Sequence, residues 1–88
     1  DIKVAVLPAA AIPRARLLGE TTGMLKAVVD AKTGTILGCA LHCADAGEMI
    51  NVVETAIRAG KDYTFLRDMI YTHPSMTEAL NDLLSKIK

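Results

Sequence analysis

The chain has 88 residues, 51% of them hydrophobic but only 3% aromatic, and its ten acidic and ten basic side chains cancel. So short a chain makes at most one domain. It is too apolar for disorder, and its scattered charges make no basic face for nucleic acid. No apolar stretch approaches the ~20 residues of a membrane-spanning helix and no signal peptide is visible, so a cytoplasmic protein without a membrane partner is expected. The chain opens at Asp1 rather than at a methionine, directly in a strand-like run, and reads as a piece of something longer.

Ile2 to Leu7 reads as an edge strand stopped by Pro8. From Pro8 to Thr22 the signals conflict. Ala9 to Ile12 suits one helical turn between two prolines, while Ala15 to Leu18 suits a short strand before Gly19. Arg14 and Arg16 would then share a face, either as an anion site or as two solvated side chains, the commoner role. Met24 to Asp30 and Thr35 to Cys43 form a hairpin, because Ala31-Lys32-Thr33-Gly34 ends in a glycine able to take positive φ. The second strand is almost wholly apolar or small from Ile36 to Leu41, as a central strand would be. Gly38 within it marks a bulge or a close backbone approach.

Three helices follow. Asp45 and Glu48 have the spacing of a capping box, and Gly60 supplies a natural stop. Between them Met49, Val52, Val53, Ala56 and Ile57 fall on one stripe, with Glu54 and Arg58 paired one turn apart on the other side. Thr64 to Ile70 predicts a short helix with Phe65, Leu66, Met69 and Ile70 inward. Ser75 to about Lys86 predicts the last helix, with Leu80, Leu83, Leu84 and Ile87 apolar. Strand, hairpin and helices in this order give an α+β fold, an antiparallel sheet with helices packed on one face.

Cys39, His42 and Cys43 invite a redox or metal reading, which strand geometry opposes. Residues four apart on a strand lie ~13 Å apart, beyond disulfide reach, with His42 on the opposite face. Buried thiols here behave as small core hydrophobes. There is no Cys-x-x-Cys and no Gly-x-Gly-x-x-Gly, so the fragment alone is expected to bind no metal, flavin or nicotinamide cofactor.

The stretch with most chemistry is His73-Pro74-Ser75-Met76-Thr77-Glu78. Pro74 fixes a corner, and Ser75 and Glu78 have capping-box spacing ahead of Leu80, Leu83 and Leu84. His73 is thereby held at a helix start with a carboxylate one turn away, the arrangement general acid–base chemistry needs. A cap at Glu78 and a corner-filling His73 would satisfy the same spacing.

His-Pro-Ser-x-x-Glu resembles the His-Pro-Thr-x-x-Glu signature of the pyridine nucleotide–disulfide oxidoreductases, which include glutathione, lipoamide and mercuric reductases. Gly23-Met24-Leu25-Lys26-Ala27-Val28-Val29-Asp30, Thr33-Gly34-Thr35-Ile36-Leu37-Gly38, Gly47-Glu48-Met49-Ile50 and Ala59-Gly60 follow the order and spacing of that family's C-terminal dimerisation domain. Arg67-Asp68 followed by His73-Pro74-Ser75-Met76 and Leu80-Asn81-Asp82-Leu83 is similar to the reactive-chlorine-resistance branch. The resemblance implies a parent homodimer with FAD and NAD(P)H held by N-terminal domains of the same chain. It implies that His73 reaches the partner subunit's redox dithiol as acid and base, that Glu78 orients it, and that His73 and Pro74 lie near the partner's flavin. Ser75 stands where the family usually has threonine and keeps the hydroxyl. The family's domain usually opens with a further strand and helix, without which a sheet edge or an apolar docking surface would be exposed. Asp45-Ala46-Gly47 replaces a more glycine-rich stretch. Two other roles fit the same residues, a dimerisation or binding module without chemistry and a stand-alone α+β protein. The substrate, whether small disulfide, lipoyl group, metal ion or oxidant, is chosen outside this stretch.

Overall fold

Three strands, β1 (Ile2–Pro8), β2 (Met24–Asp30) and β3 (Ile36–His42), form one antiparallel sheet in the order β1-β2-β3, in a computed structural model describing residues 1–88. Their register aligns Ala5 with Ala27 and Cys39, and Leu7 with Leu25 and Leu41. Side chains alternate across a strand. This row therefore lines one face, where Ala5, Leu7, Leu25, Ala27 and Val29 are buried. The α2 helix (Ala46–Arg58) packs there over β3, and α4 (Ala79–Leu84) over β1 and β2. The fold is α+β with helices on one face, as the element order predicts.

The intervening positions face the other way. Ile2, Val4, Val6 and Met24 remain exposed on the uncovered face, between 38% and 59%.

The hairpin turn forms as predicted. Gly34 takes φ 74°, and the Asp30 side chain accepts the backbone N–H of Lys32 at 2.8 Å and of Thr33 at 2.9 Å. Those two bonds hold the Asp30 carboxyl below its usual range. A bulge does fall beside Gly38, where the register slips between Val28 and Val29 and leaves Leu37 unpaired and 56% exposed.

Several expectations need correction. The all-apolar β3 is an edge strand and β2 the central one. Cys39 and Leu41 pack against the core on its covered face, while Ala40 is exposed on the other, so small apolar residues here do not mark a place mid-sheet. Ala15 to Leu18 is helical: α1 spans Pro13–Leu18, after a single 3₁₀ turn at Ala9–Ala11 that the sequence did predict. Pro13 sits in the first turn and Gly19 closes the helix at φ 72°, start and stop signals that outweigh the local strand propensity. Arg14 and Arg16 consequently do not share an extended face.

In α2 the buried stripe is Met49, Val53 and Ala56, with Val52 half-buried and Ile57 exposed. Asp45 does precede the helix, but at φ 60° its side chain makes no capping bond, so that capping box is not formed. A capping side chain reaches the first-turn N–H groups from an extended backbone. Glu54 and Arg58 pair at 2.9 Å on the exposed side, and Gly60 follows the helix at φ 73°.

The α3 helix is shorter than predicted, Tyr63–Arg67, and of its four expected inward residues only Leu66 is buried. Ile70 is 97% exposed. The last helix is also shorter, at Ala79–Leu84. It is entered through a tight turn in which the Ala79 and Leu80 N–H groups donate to Met76 and Thr77 carbonyls. Leu80, Leu83, Leu84 and Ile87 are buried as the pattern requires.

Candidate functional site

The tight turn into α4 holds the His73 ring. Met76, Ala79 and Leu80 are at most 2% exposed and anchor the turn in the core, so groups on its outer side are firmly mounted. Ser75 and Glu78 form the reciprocal capping pair. The Ser75 N–H donates to Glu78 Oε2 at 2.8 Å, and the Glu78 N–H donates to Ser75 Oγ at 3.3 Å. The Ser75 hydroxyl also donates to the Thr72 carbonyl at 2.6 Å, tying the two sides of the corner together. The His73–Pro74 peptide is cis.

His73 Nδ1 lies 2.8 Å from both Oε1 and Oε2 of Glu78. One carboxylate thus caps the turn and grips the ring, using different lone pairs. Partial burial is the largest single influence on Glu78 and pushes its pKa up. The hydrogen bonds from His73 and the Ser75 N–H, with the attraction of the His73 charge, outweigh it and hold the carboxyl below its usual range. Glu78 is therefore a carboxylate at neutral pH. It is an acceptor only, so Nδ1 carries the proton and the lone pair sits on Nε2 in the neutral ring. Nε2 makes no hydrogen bond within the chain. The His73 side chain is 67% exposed and that of Glu78 only 19%. The arrangement is a half-buried carboxylate holding an accessible imidazole.

Sequence reasoning missed the support behind this pair. Asn81 Nδ2 donates to the Arg67 carbonyl at 2.9 Å and the Met69 carbonyl at 2.8 Å, and the Tyr71 hydroxyl donates to the Leu66 carbonyl at 2.8 Å. These bonds gather the end of α3 and the segment leading to His73. An asparagine inside a helix, where its propensity is poor, was the available signal.

The cysteines do not join the site. Both are free and half-buried, and the Cys43 thiol faces Met49 Sδ at 3.7 Å. Burial pushes the Cys39 thiol up to about 11, with the neighbouring Cys43 adding to the rise, and raises Cys43 as well. At pH 8 only ~0.1% of Cys39 would be thiolate, the reactive form. Cys39 is therefore expected to resist alkylation by iodoacetamide at pH 8 in the folded protein and to react readily in urea. Equal labelling under both conditions, read by mass spectrometry, would contradict this. Open clefts of about 510 and 260 Å³ lie elsewhere, the larger beside Thr21, His42 and Cys43, and neither is lined by His73.

Residues 1–84 match the family described as pyridine nucleotide-disulphide oxidoreductase, dimerisation domain. The chain belongs to that family. It is 57% identical over 88 residues to RclA of Escherichia coli K12, named as a probable pyridine nucleotide-disulfide oxidoreductase, covering all of this chain and 20% of that protein. It is 38% identical over 80 residues to a mercuric reductase of Bacillus cereus, covering 91% of this chain and 13% of that one. A dihydrolipoyl dehydrogenase of Mycobacterium bovis is 35% identical over 82 residues, covering 93% of this chain and 18% of that one. The solved structure of the E. coli RclA, titled an HOCl-induced flavoprotein disulfide reductase, superposes with a TM-score of 0.98 over the whole of this chain and 20% of its own. The chain thus spans a fifth or less of these relatives' lengths. It is similar to part of an oxidoreductase, and the likeness to the reactive-chlorine branch extends to the backbone.

Proposed function

We propose that this chain is the C-terminal interface domain of a homodimeric, FAD-dependent, NAD(P)H-linked disulfide oxidoreductase, to which it contributes the dimer contact and one acid–base pair. The observation that carries the reading is His73, held at Nδ1 by the Glu78 carboxylate with Nε2 unengaged and the ring mostly exposed. A base presented outward, with no acceptor or donor for it in its own chain, suits a reacting group on another chain.

In this reading Nε2 takes the proton of a thiol in the partner subunit's redox dithiol, leaving the thiolate that exchanges with a disulfide. It returns that proton when the thiolate is released. A thiol of ordinary pKa near 8.5 is mostly unreactive at neutral pH, and an imidazole is the side chain best matched to accept its proton there. Glu78 acts on Nδ1, fixing the tautomer and stabilising the imidazolium while the proton resides on the ring.

Ile70, fully exposed three residues before His73, stands with Met69 and Phe65 as the apolar part of the dimer contact. Exposed apolar residues so near His73 in the chain suit a contact that must bring His73 to a partner subunit. FAD and NAD(P)H would be held by N-terminal domains of the same chain, where the flavin supplies electron transfer between nicotinamide and dithiol. Of the residues here only His73 and Pro74 would approach a flavin, that of the partner. No helix is long and apolar enough to cross a membrane, and the free thiols fit a reducing compartment such as the cytoplasm. A non-catalytic dimerisation module is the alternative, and the assembled His73–Glu78 pair counts against it.

The test is the visible spectrum of the full-length protein. A yellow product whose flavin bands bleach on addition of a reduced nicotinamide supports the enzyme reading. A colourless, folded product would leave dimerisation without redox chemistry.

A further inference from the structure

Asn81 lies inside α4, between the buried Leu80 and the buried Leu83, yet its amide reaches out of the helix to another segment. Its two amide hydrogens match two carbonyls, Arg67 O at 2.9 Å and Met69 O at 2.8 Å. Arg67 is the last residue of α3, and Met69 belongs to the stretch that leads to His73. These carbonyls lie where a helix end leaves acceptors unpaired. Without the Asn81 amide, neither would keep this side-chain donor.

We propose that Asn81 is a positioning residue for His73, a role that rests on the acid–base reading above. Glu78 and Asn81 stand three apart on the same turn and so project from one side of α4. Glu78 grips the ring and Asn81 grips the backbone that delivers the ring. Two anchors on one rigid turn fix where Nε2 stands. Without the Asn81 bonds, the 68–72 segment would be tied at its far end only, through the Ser75 hydroxyl on the Thr72 carbonyl and the His73–Glu78 contact, with the Tyr71 hydroxyl between. The Tyr71 hydroxyl on the Leu66 carbonyl braces the same segment from within, and burial pushes that phenol up to about 12, so it remains a donor throughout the working range. A displacement of about 1 Å at a reacting atom is enough to cost about 10²-fold in rate.

The experiment is a double-mutant cycle in the full-length enzyme with Asn81→Leu, which keeps the branching at Cγ and removes both donors, and His73→Ala. Asn81→Leu is expected to lower kcat by about 10- to 100-fold with KM for the nicotinamide unchanged. It is expected to cause no further loss in the His73→Ala background, since a residue acting through His73 has nothing left to position there. Backbone amides in residues 68–75 should exchange hydrogen for deuterium faster in Asn81→Leu, the rest of the sheet being unchanged. Full turnover in Asn81→Leu, or an equal loss in both backgrounds, overturns the proposal. If Asn81→Leu fails to fold, Asn81→Asp replaces it in the same cycle, its carboxylate offering acceptors where donors are needed. A His73→Ala enzyme as active as the parent would remove the acid–base reading itself and this role with it, and that arm alone identifies the outcome.

Discussion

Replacing His73 by alanine in the full-length enzyme is expected to lower disulfide-reductase turnover by about 10²- to 10⁴-fold, the range that one positioned acid–base group supplies. The loss should fall on the thiol steps alone. Hydride transfer from nicotinamide to flavin moves no thiol proton, so stopped-flow reduction of the flavin should proceed at the parent rate. The structure makes this a clean substitution. The ring is 67% exposed, and its only side-chain partner, Glu78, keeps the Ser75 N–H when the ring is gone. The turn into α4 should therefore survive. Undiminished turnover would remove His73 from the chemistry, and a parallel loss of flavin reduction would point to a disturbed fold instead.

Ile70→Asp is expected to break the dimer. Burying an isoleucine contributes ~1.5–3 kcal/mol, and in a two-fold interface the substitution enters twice, for about 3–6 kcal/mol. That range corresponds to about 10²- to 10⁴-fold weaker dimerisation. Ile70 is 97% exposed in the single chain, so the substitution has no core to damage there. Sedimentation of the variant at micromolar concentration should show monomers where the parent shows dimers, with the circular dichroism of the folded chain unchanged. A dimer of parental affinity would place the contact elsewhere, the open face of Val4, Val6 and Met24 being the next apolar surface.

The elements were largely legible in the sequence because their signals were local. Gly34 at the end of Ala31-Lys32-Thr33-Gly34 defines the hairpin turn, Leu80, Leu83, Leu84 and Ile87 define the packed face of the last helix, and Ser75 with Glu78 define its capping pair. Errors arose where a local signal competed with a tertiary one. Phe65, Met69 and Ile70 have a helical, inward-looking pattern, but Asn81 captures the carbonyls at Arg67 and Met69 and the segment turns outward instead. Periodicity cannot register a bond from fourteen residues away. Asp45 and Glu48 had the right spacing for a capping box, but spacing does not specify the left-handed backbone that Asp45 adopts. Likewise β3 looked central because small apolar residues suit both a covered edge and a sheet interior. At the site, the contact between His73 and Glu78 follows from the corner and the capping pair. Its mounting by Asn81 and Tyr71 was visible only in three dimensions.

The central claim is that His73 completes a site belonging to the other subunit, and subunit mixing tests it most directly. One parent carries His73→Ala, and the other carries serine in place of the redox dithiol's cysteines. Each homodimer should be inactive. If His73 acts across the interface, a mixed dimer unites one intact dithiol with the partner's intact His73, and about one active site per hybrid should reappear on mixing. If activity stays at the level of the two inactive parents while hybrids are shown to form, His73 serves its own chain or none, and the account is wrong.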